Sequence, residues 1–374
     1  MQKNTRCVHS GTGKDPLTRG LNTPIFTSSS FEYLDADENV YPRYFNIPNQ
    51  KAVVEKLCAL ENAEDGLLFS SGMAAISTAI LAFLSSGDHV VLQKDIYGGT
   101  HHFVTADFER FGIKFTFVDN EAADIEKAVK PNTKIIYIET PSNPLLLVTD
   151  IAATAQIAKD HNALSIIDNT FATPINQNPL DLGIDIVTHS GTKYLGGHSD
   201  LCCGAVLTRR DLADKIAATA ANLGGSMNAM TCYLLERSLK TLGIRVDKHN
   251  RNAQIIAEHL QQDARIQKVY YPGLESHPGH ALAKKQMRGF GGMLAFELAG
   301  PAPQTFLKNL KVITPALSLG GVETIICSPA TTSHQKISAA ERAELGITDN
   351  TLRLSVGIED PDDIIADIEQ ALSG

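Results

Sequence analysis

Short apolar runs rich in β-branched residues recur through the chain, and helical patterns separate them. The clearest runs are HVVLQ (89–93), KIIYIE (134–139), ALSIID (163–168) and DIVTHS (185–190). Continuous apolar strands that alternate with helices are typical of a mostly parallel sheet covered by helices on both faces. The sequence therefore predicts an α/β fold. The tight 190–202 connection to CGAVLT (203–208) also predicts that at least one later strand is antiparallel.

The pattern changes after residue 245, which indicates a second domain. A long helix is predicted over 245–263, and the later elements follow as strands over 293–298 and 352–357 and a closing helix over DPDDIIADIEQALSG. Together they predict a smaller α+β unit at the C-terminus.

The N-terminal residues show little periodicity and many Pro, Asn and Tyr residues. Such a segment is expected to be an extended arm held against something else, such as another subunit. We therefore divide the 374 residues into an arm (1–50), an α/β domain (51–245) that binds the cofactor argued for below, and an α+β domain (246–374).

Composition limits the partners and the compartment. The net charge of −9 disfavours duplex nucleic acid, which calls for a basic face, and fits an anionic membrane surface poorly. The six cysteines are scattered without a CxxC pair, so neither a disulfide framework nor a zinc cluster is indicated. MQKNTRCVHS has no apolar core and is not a secretory signal. We expect a cytoplasmic protein.

One uncharged segment, 66–87, needs comparison with a membrane helix. Serines, a threonine and Gly72 interrupt it. We read it as a strand over 66–69, a turn, and a buried helix that ends near Ser85. This helix is too short to span a bilayer, which takes about 20 apolar residues.

Polar residues follow each predicted strand. In open parallel sheets, ligands bind beyond the carboxyl ends of the strands, so these residues are expected to share one edge. They are Ser71, Gly72, Met73, Tyr97, Asn143, Asp168, Ser190, Thr192 and Lys193.

These residue types match the parts of one cofactor. The turn at 71–73 opens a helix, whose free N–H groups bind phosphate, and the hydroxyls of Ser190 and Thr192 add donors. Tyr97 offers a flat face for stacking on an aromatic ring. Asp168 is a buried carboxylate that needs a cation, such as a protonated pyridine nitrogen. Lys193 is an amine able to form a Schiff base with an aldehyde. The set predicts pyridoxal 5′-phosphate.

Each residue also has an ordinary interpretation. Lys193 could be a solvated surface lysine and Asp168 a helix N-cap. Tyr97 could be a packed aromatic in a turn, and Asn143, between two prolines, could serve the turn alone. Arg353 in LRLSVG could be a solvated charge on an edge strand. The coincidence of the signals at one sheet edge favours the cofactor site.

Competing motifs fail. SGTGK lacks the first glycine and the final Ser or Thr of a phosphate-binding loop. No HExxH is present, and the adjacent His101 and His102 point to different faces of a helix, so no metal site is predicted.

Seven segments resemble motifs of the pyridoxal-phosphate enzymes of cysteine and methionine metabolism, in family order. They are SSGMAAI, DIYGGT, ETPSNP, IDNTFATP, SGTKYLGGHSD, SLGGVET and LRLSVGIED. The resemblance covers nearly the whole chain and implies an aspartate-aminotransferase-like fold of type I. It also implies a homotetramer built from two dimers.

The resemblance implies a role for each matching residue. Lys193 would be the Schiff-base lysine, Asp168 the partner of the ring nitrogen, and Tyr97 a stacking residue that also acts in acid–base chemistry. Gly72, Met73, Ser190 and Thr192 would hold the phosphate, with Tyr41 and Arg43 reaching it from a neighbouring subunit. Arg353 would clamp the substrate carboxylate beside Asn143 and Ser318.

Family differences bear on the substrate. Glu323 matches an acid of cystathionine synthases and γ-lyases, whereas Val40 replaces an acid and His102 an arginine that cystathionine-using relatives often carry. Gly99 stands where methionine γ-lyases often have a cysteine. The resemblance implies a carbon–sulfur lyase that cleaves cystathionine, a small sulfur amino acid. The alternatives are γ-replacement by a cystathionine γ-synthase or O-acylhomoserine sulfhydrylase, a methionine γ-lyase, or a non-catalytic binding protein.

Overall fold

The structure is a computed structural model that describes residues 1–332, 342 and 345–373. Its larger sheet contains the six strands predicted from the sequence, together with β3, which was not predicted. In chain order they are β1 (Asp65–Phe69), β2 (His89–Gln93), β3 (Lys114–Val118), β4 (Thr133–Glu139), β5 (Leu164–Asp168), β6 (Ile186–Ser190) and β7 (Gly204–Thr208). Across the sheet they lie in the order β1-β7-β6-β5-β4-β2-β3.

The larger sheet is mostly parallel. β2, β3, β4, β5 and β6 pair in parallel, whereas β7 is antiparallel to both of its neighbours, β6 and β1. The predicted α/β class is therefore confirmed, and so is the antiparallel strand after the 190–202 connection.

Helices cover both faces of this sheet. They include α1 (Lys3–His9), α2 (Pro48–Glu61), α3 (Gly72–Leu81), α4 (Gly98–Asp107), α5 (Ala122–Ala128), α6 (Ile151–Asp160), α7 (Thr173–Asn176), α8 (Arg210–Leu223) and α9 (Ala229–Leu239). Alternate strand residues enter different cores: Ile167 joins the cluster that contains α2, and Ile166 joins the one that contains α3. Burial on both faces explains why the strands read as continuous apolar runs.

A second, five-stranded sheet forms from the C-terminal part of the described chain, in the order β10-β11-β12-β9-β8. Its strands are β8 (Ile266–Tyr270), β9 (Met293–Leu298), β10 (Thr314–Pro315), β11 (Ile325–Cys327) and β12 (Thr351–Ser355). The associated helices are α10 (Leu242–Gln262), α11 (His280–Gln286), α12 (Pro303–Asn309) and α13 (Pro361–Ser373). The predicted long helix, both strands and the closing helix are present. The division into domains at 245 stays a prediction.

Several boundaries differ from the sequence prediction, and the long helix predicted over 245–263 spans Leu242–Gln262. The helix expected to end near Ser85 ends at Leu81, because the N–H of Ser85 is bound by the Asp88 carboxylate (2.7 Å) in the turn before β2. The strand predicted over 352–357 ends at Ser355. Within the described residues, no helix is long and apolar enough to cross a membrane.

The N-terminal arm is only partly extended. It begins with α1. The Lys3 amine of this helix donates hydrogen bonds to the Asn178 side chain and to the carbonyls of Leu60 and Pro174. Farther along, large apolar side chains such as Leu17, Tyr33 and Leu34 are exposed.

Candidate active site

The carboxyl ends of five strands bring the predicted residues to one edge of the larger sheet. The turn at 71–73 follows β1, Tyr97 follows β2, and Asn143 follows β4. Asp168 ends β5, and Lys193 follows β6. The edge predicted from the sequence is therefore the place where these residues meet.

The start of α3 makes a narrow cradle with Ser190. The Ser71 side chain accepts the N–H of Ala74 (3.1 Å) and so caps the helix. A Cβ added at Gly72 would lie only 2.8 Å from the Ser190 Cβ and 3.0 Å from its Cα. Glycine at position 72 thus allows the N-terminus of α3, which is able to bind an anion, to approach the Ser190 side chain closely.

The Thr192 hydroxyl has main-chain partners. It donates to the carbonyl of Cys203 (3.2 Å) and accepts the N–H of the same residue (3.0 Å). Thr192 therefore closes the turn between β6 and β7, a contact between residues eleven positions apart. The sequence suggested only a phosphate donor.

Asp168 is almost fully buried, and its surroundings favour a cationic ligand. Both hydrogen bonds described for its carboxyl reach Oδ1, from the Thr170 N–H (3.0 Å) and hydroxyl (2.5 Å). Burial raises the pKa of this carboxyl, and the Thr170 bonds offset the effect only in part. The alternative role of helix N-cap fails, because the residue before α7 is Ala172.

Lys193 is half-buried rather than a solvated surface charge. Its Nζ donates to the Ser318 hydroxyl (2.8 Å). Burial, reinforced by the positive charge of Arg353, lowers the pKa of the amine to about 8. A substantial fraction is therefore neutral and nucleophilic close to neutral pH.

Arg353 reaches the same region from the second sheet. It lies in β12, an interior strand, and is 5% exposed, which excludes the solvated edge charge. Its guanidinium donates to Asn143 Oδ1 (2.9 Å) and to the carbonyl of Ser318 (3.0 Å). Its buried Nε has no hydrogen-bond partner among the described residues. Arginine with an unused donor suits a carboxylate ligand.

Tyr97 lies at the N-terminus of α4 with its side chain 44% exposed, so it is not a packed turn residue. A Cβ on Gly99 would lie 2.5 Å from the Tyr97 ring and 3.1 Å from the Met73 sulfur. The ring therefore stands beside the start of α3, where it is free to stack on a ligand.

Three predicted residues have other contacts within the described part of the chain. Arg43 donates to the carbonyl of Ala221 and lies over the rings of Tyr41 and Tyr44. Glu323 is exposed and accepts a hydrogen bond from Ser199 (3.1 Å). These contacts within one chain do not bring Tyr41 or Arg43 to Lys193.

Sequence reasoning missed several buried polar residues that support the site. Glu139 ends β4 and accepts the Tyr97 N–H (2.7 Å). Arg245 donates to the carbonyls of Tyr194 (2.8 Å) and Leu195, which directly follow Lys193. Glu139 could have been found, because it closes an apolar strand as Asp168 does. The contacts of Arg245 span about fifty residues and leave no local pattern.

The residues present fit pyridoxal 5′-phosphate. The cradle that Gly72 leaves open suits the phosphate, and the buried Asp168 suits a protonated ring nitrogen. The half-buried amine of Lys193 suits the aldehyde. Fold and site together define a pyridoxal-phosphate-dependent enzyme.

Comparison with known families agrees. The family model described as "Cys/Met metabolism PLP-dependent enzyme" matches residues 4–373, and the chain belongs to that family. Its cofactor is pyridoxal 5′-phosphate.

The relatives are similar over their full length. The chain is 46% identical to a cystathionine gamma-lyase of Bacillus subtilis, covering 100% of this chain and 99% of the relative. It is 44% identical to an L-methionine gamma-lyase of Fusobacterium nucleatum (98% and 97% covered) and 45% identical to a cystathionine beta-lyase of Lactococcus lactis (98% and 98%). The solved structure of a cystathionine gamma-lyase from Lactobacillus plantarum complexed with L-serine superposes with a TM-score of 0.96 at 43% identity, covering 100% and 99%.

Substitution of Gly72 tests the phosphate cradle. In Gly72→Ala the new methyl group would press on the Ser190 backbone, so we expect the coenzyme dissociation constant to rise about tenfold or more, or about 1.4 kcal/mol. Titration of the apo-protein with coenzyme measures this. Gly300→Ala is the control, because nothing lies within 4 Å of its added Cβ. Equal affinity in wild type and Gly72→Ala would refute the cradle.

The lowered pKa of Lys193 predicts how coenzyme attachment depends on pH. Only the neutral amine attacks an aldehyde, so the attachment rate should fall about tenfold per pH unit below pH 8. Arg353→Gln should move this break upward because it removes a nearby positive charge, whereas Arg353→Lys should leave it nearly in place. Stopped-flow absorbance measures the rates. A break near the ordinary value of 10.5 would contradict the assignment.

Proposed function

We propose that this enzyme is a carbon–sulfur lyase that cleaves cystathionine. The observation that carries the proposal is the meeting of a half-buried amine with a lowered pKa, Lys193, and a buried arginine with an unused donor, Arg353. The first suits proton transfer at the substrate α-carbon, and the second suits its carboxylate. The similarity to two cystathionine lyases supports the choice of substrate.

Binding of the substrate would use residues of both sheets. Arg353 would hold the α-carboxylate through two N–H donors, with Asn143 and Ser318 fixing the guanidinium plane. Asp168 would accept the hydrogen bond of the coenzyme ring nitrogen, and Tyr97 would cover the ring. The 71–73 turn, Ser190 and Thr192 would surround the phosphate, with Thr192 shaping the turn through its hydrogen bonds to the main chain of Cys203.

Proton transfer would depend on two side chains. When bound, the coenzyme withdraws electrons and stabilises negative charge on the substrate α-carbon. Lys193 Nζ would take the α-proton and return a proton within the site, since its amine is neutral often enough to act as a base. The Tyr97 hydroxyl would protonate the departing sulfur.

The runner-up is γ-replacement, as in a cystathionine γ-synthase or an O-acylhomoserine sulfhydrylase. It needs the same cofactor residues and differs in the second substrate. Glu323, exposed and hydrogen-bonded to Ser199, is a candidate contact for the distal end of the substrate in either reaction. A methionine γ-lyase is the third possibility, and the similarity to one such enzyme supports it.

We also propose that a homotetramer in the cytoplasm is the active form. The arm exposes Leu17 (92%), Tyr33 (71%) and Leu34 (74%), a costly arrangement unless another chain covers them. Tyr41 and Arg43, on this same arm, would then reach the phosphate of a neighbouring subunit.

A product assay separates the lyase reactions from γ-replacement. Purified enzyme incubated with cystathionine should release an oxo acid: pyruvate from β-cleavage or 2-oxobutyrate from γ-cleavage. A parallel incubation uses O-acylhomoserine with cysteine or sulfide, and Lys193→Ala controls for contaminating activity, with an expected loss of at least about 1,000-fold. Much faster turnover of the O-acylhomoserine mixture would overturn the lyase proposal.

A further inference from the structure

Glu139 is a buried carboxyl group at the active-site edge that takes no part in the proposed chemistry. It ends β4, is 4% exposed and is the direct neighbour of Asp168 across the parallel strands β4 and β5. Paired residues of adjacent strands project from the same face of a sheet. Glu139 and Asp168 therefore project toward the same site.

The Glu139 carboxyl lies near two segments of main chain and is hydrogen-bonded to the first. Its Oε2 accepts the N–H of Tyr97 at 2.7 Å. The main chain of Asn143, the second segment, favours the charged form of this carboxyl and so lowers its pKa, the smallest of the effects described for it. The start of α4 lacks a side-chain cap of its own, so a carboxyl from a neighbouring strand takes that role.

Both segments carry a side chain of the site. The first carries the Tyr97 ring, and the second carries Asn143, whose Oδ1 accepts a hydrogen bond from Arg353 (2.9 Å). The Glu139 carboxyl is thus bonded directly to the main chain of the residue that carries the coenzyme-stacking ring.

Two substitutions of Glu139 distinguish the effect of its charge from the effect of where its acceptor oxygen lies. Burial, and then the negative charge of Asp168, raise the pKa of this carboxyl well above its ordinary value. A neutral carboxyl still accepts N–H bonds through an oxygen, and glutamine reproduces that acceptor at the same distance. Aspartate keeps the acid but withdraws it by one methylene, about 1.5 Å.

We propose that Glu139 is a positioning residue of the active site, which fixes the main chain of Tyr97 and thereby aims its ring. The proposal rests on the role given above to Tyr97. It does not depend on which sulfur amino acid is the substrate.

The test compares Glu139→Gln with Glu139→Asp in the coenzyme-loaded enzyme and its apo form. If Glu139 acts by positioning, the Glu139→Gln variant should keep coenzyme affinity and kcat/KM within about threefold of wild type. The Glu139→Asp variant should lose about tenfold in coenzyme affinity and about 100-fold in kcat/KM. In a Tyr97→Ala background the Asp substitution should change coenzyme affinity less than about twofold, because the ring it aims is gone.

Asp185 provides a matched control. It accepts a backbone N–H of the larger sheet, that of Ser165 (2.9 Å), but at the amino ends of the strands. Asp185→Ala should lower thermal stability and leave coenzyme affinity and kcat/KM unchanged.

Two results would overturn the proposal: a Gln variant as defective as Asp, which would indicate a charge role, or an Asp variant equal to wild type. The coenzyme titration requires no substrate. An absence of cystathionine cleavage by wild type would therefore refute the proposed reaction and leave the test of Glu139 intact.

Discussion

A carboxylate buried at the end of a strand is costly unless a cation faces it, and Asp168 sets this requirement at the centre of the sheet edge. Thr170 satisfies one of its oxygens. A protonated ring nitrogen of the coenzyme would supply the positive charge that the buried Asp168 carboxylate lacks. Burial around the same edge lowers the pKa of Lys193 to about 8 and raises that of Asp168, so it disfavours the charged form of both groups.

The second sheet is part of this site because its residues hold groups of the first. Ser318 has a left-handed backbone (φ 81°), accepts the Lys193 amine on its hydroxyl and binds Arg353 through its carbonyl. Gly320 packs directly on the Lys193 main chain, where a Cβ would lie 2.8 Å from the Tyr194 nitrogen. The position of the amine is therefore set jointly by both sheets.

The sequence predicted the parts of this arrangement that have a local signature. Apolar runs identified β2, β4, β5 and β6, and the rule that ligands bind beyond the carboxyl ends of strands located Asp168 and Lys193. Hydrogen bonds between distant residues were not predictable from a period or a spacing. The bond of Thr192 to Cys203 and the bond of Glu139 to the start of α4 are two such contacts. The contact of Tyr41 and Arg43 with a neighbouring subunit stays a prediction, since it concerns a second chain.

The central claim is that the Lys193 amine is the covalent attachment point of the coenzyme. Borohydride reduction of the loaded enzyme, followed by proteolysis and mass spectrometry, tests it directly. The account predicts a coenzyme-derived mass increase on the peptide that contains Lys193. A modification on another lysine, or an unmodified Lys193 in enzyme saturated with coenzyme, would contradict it.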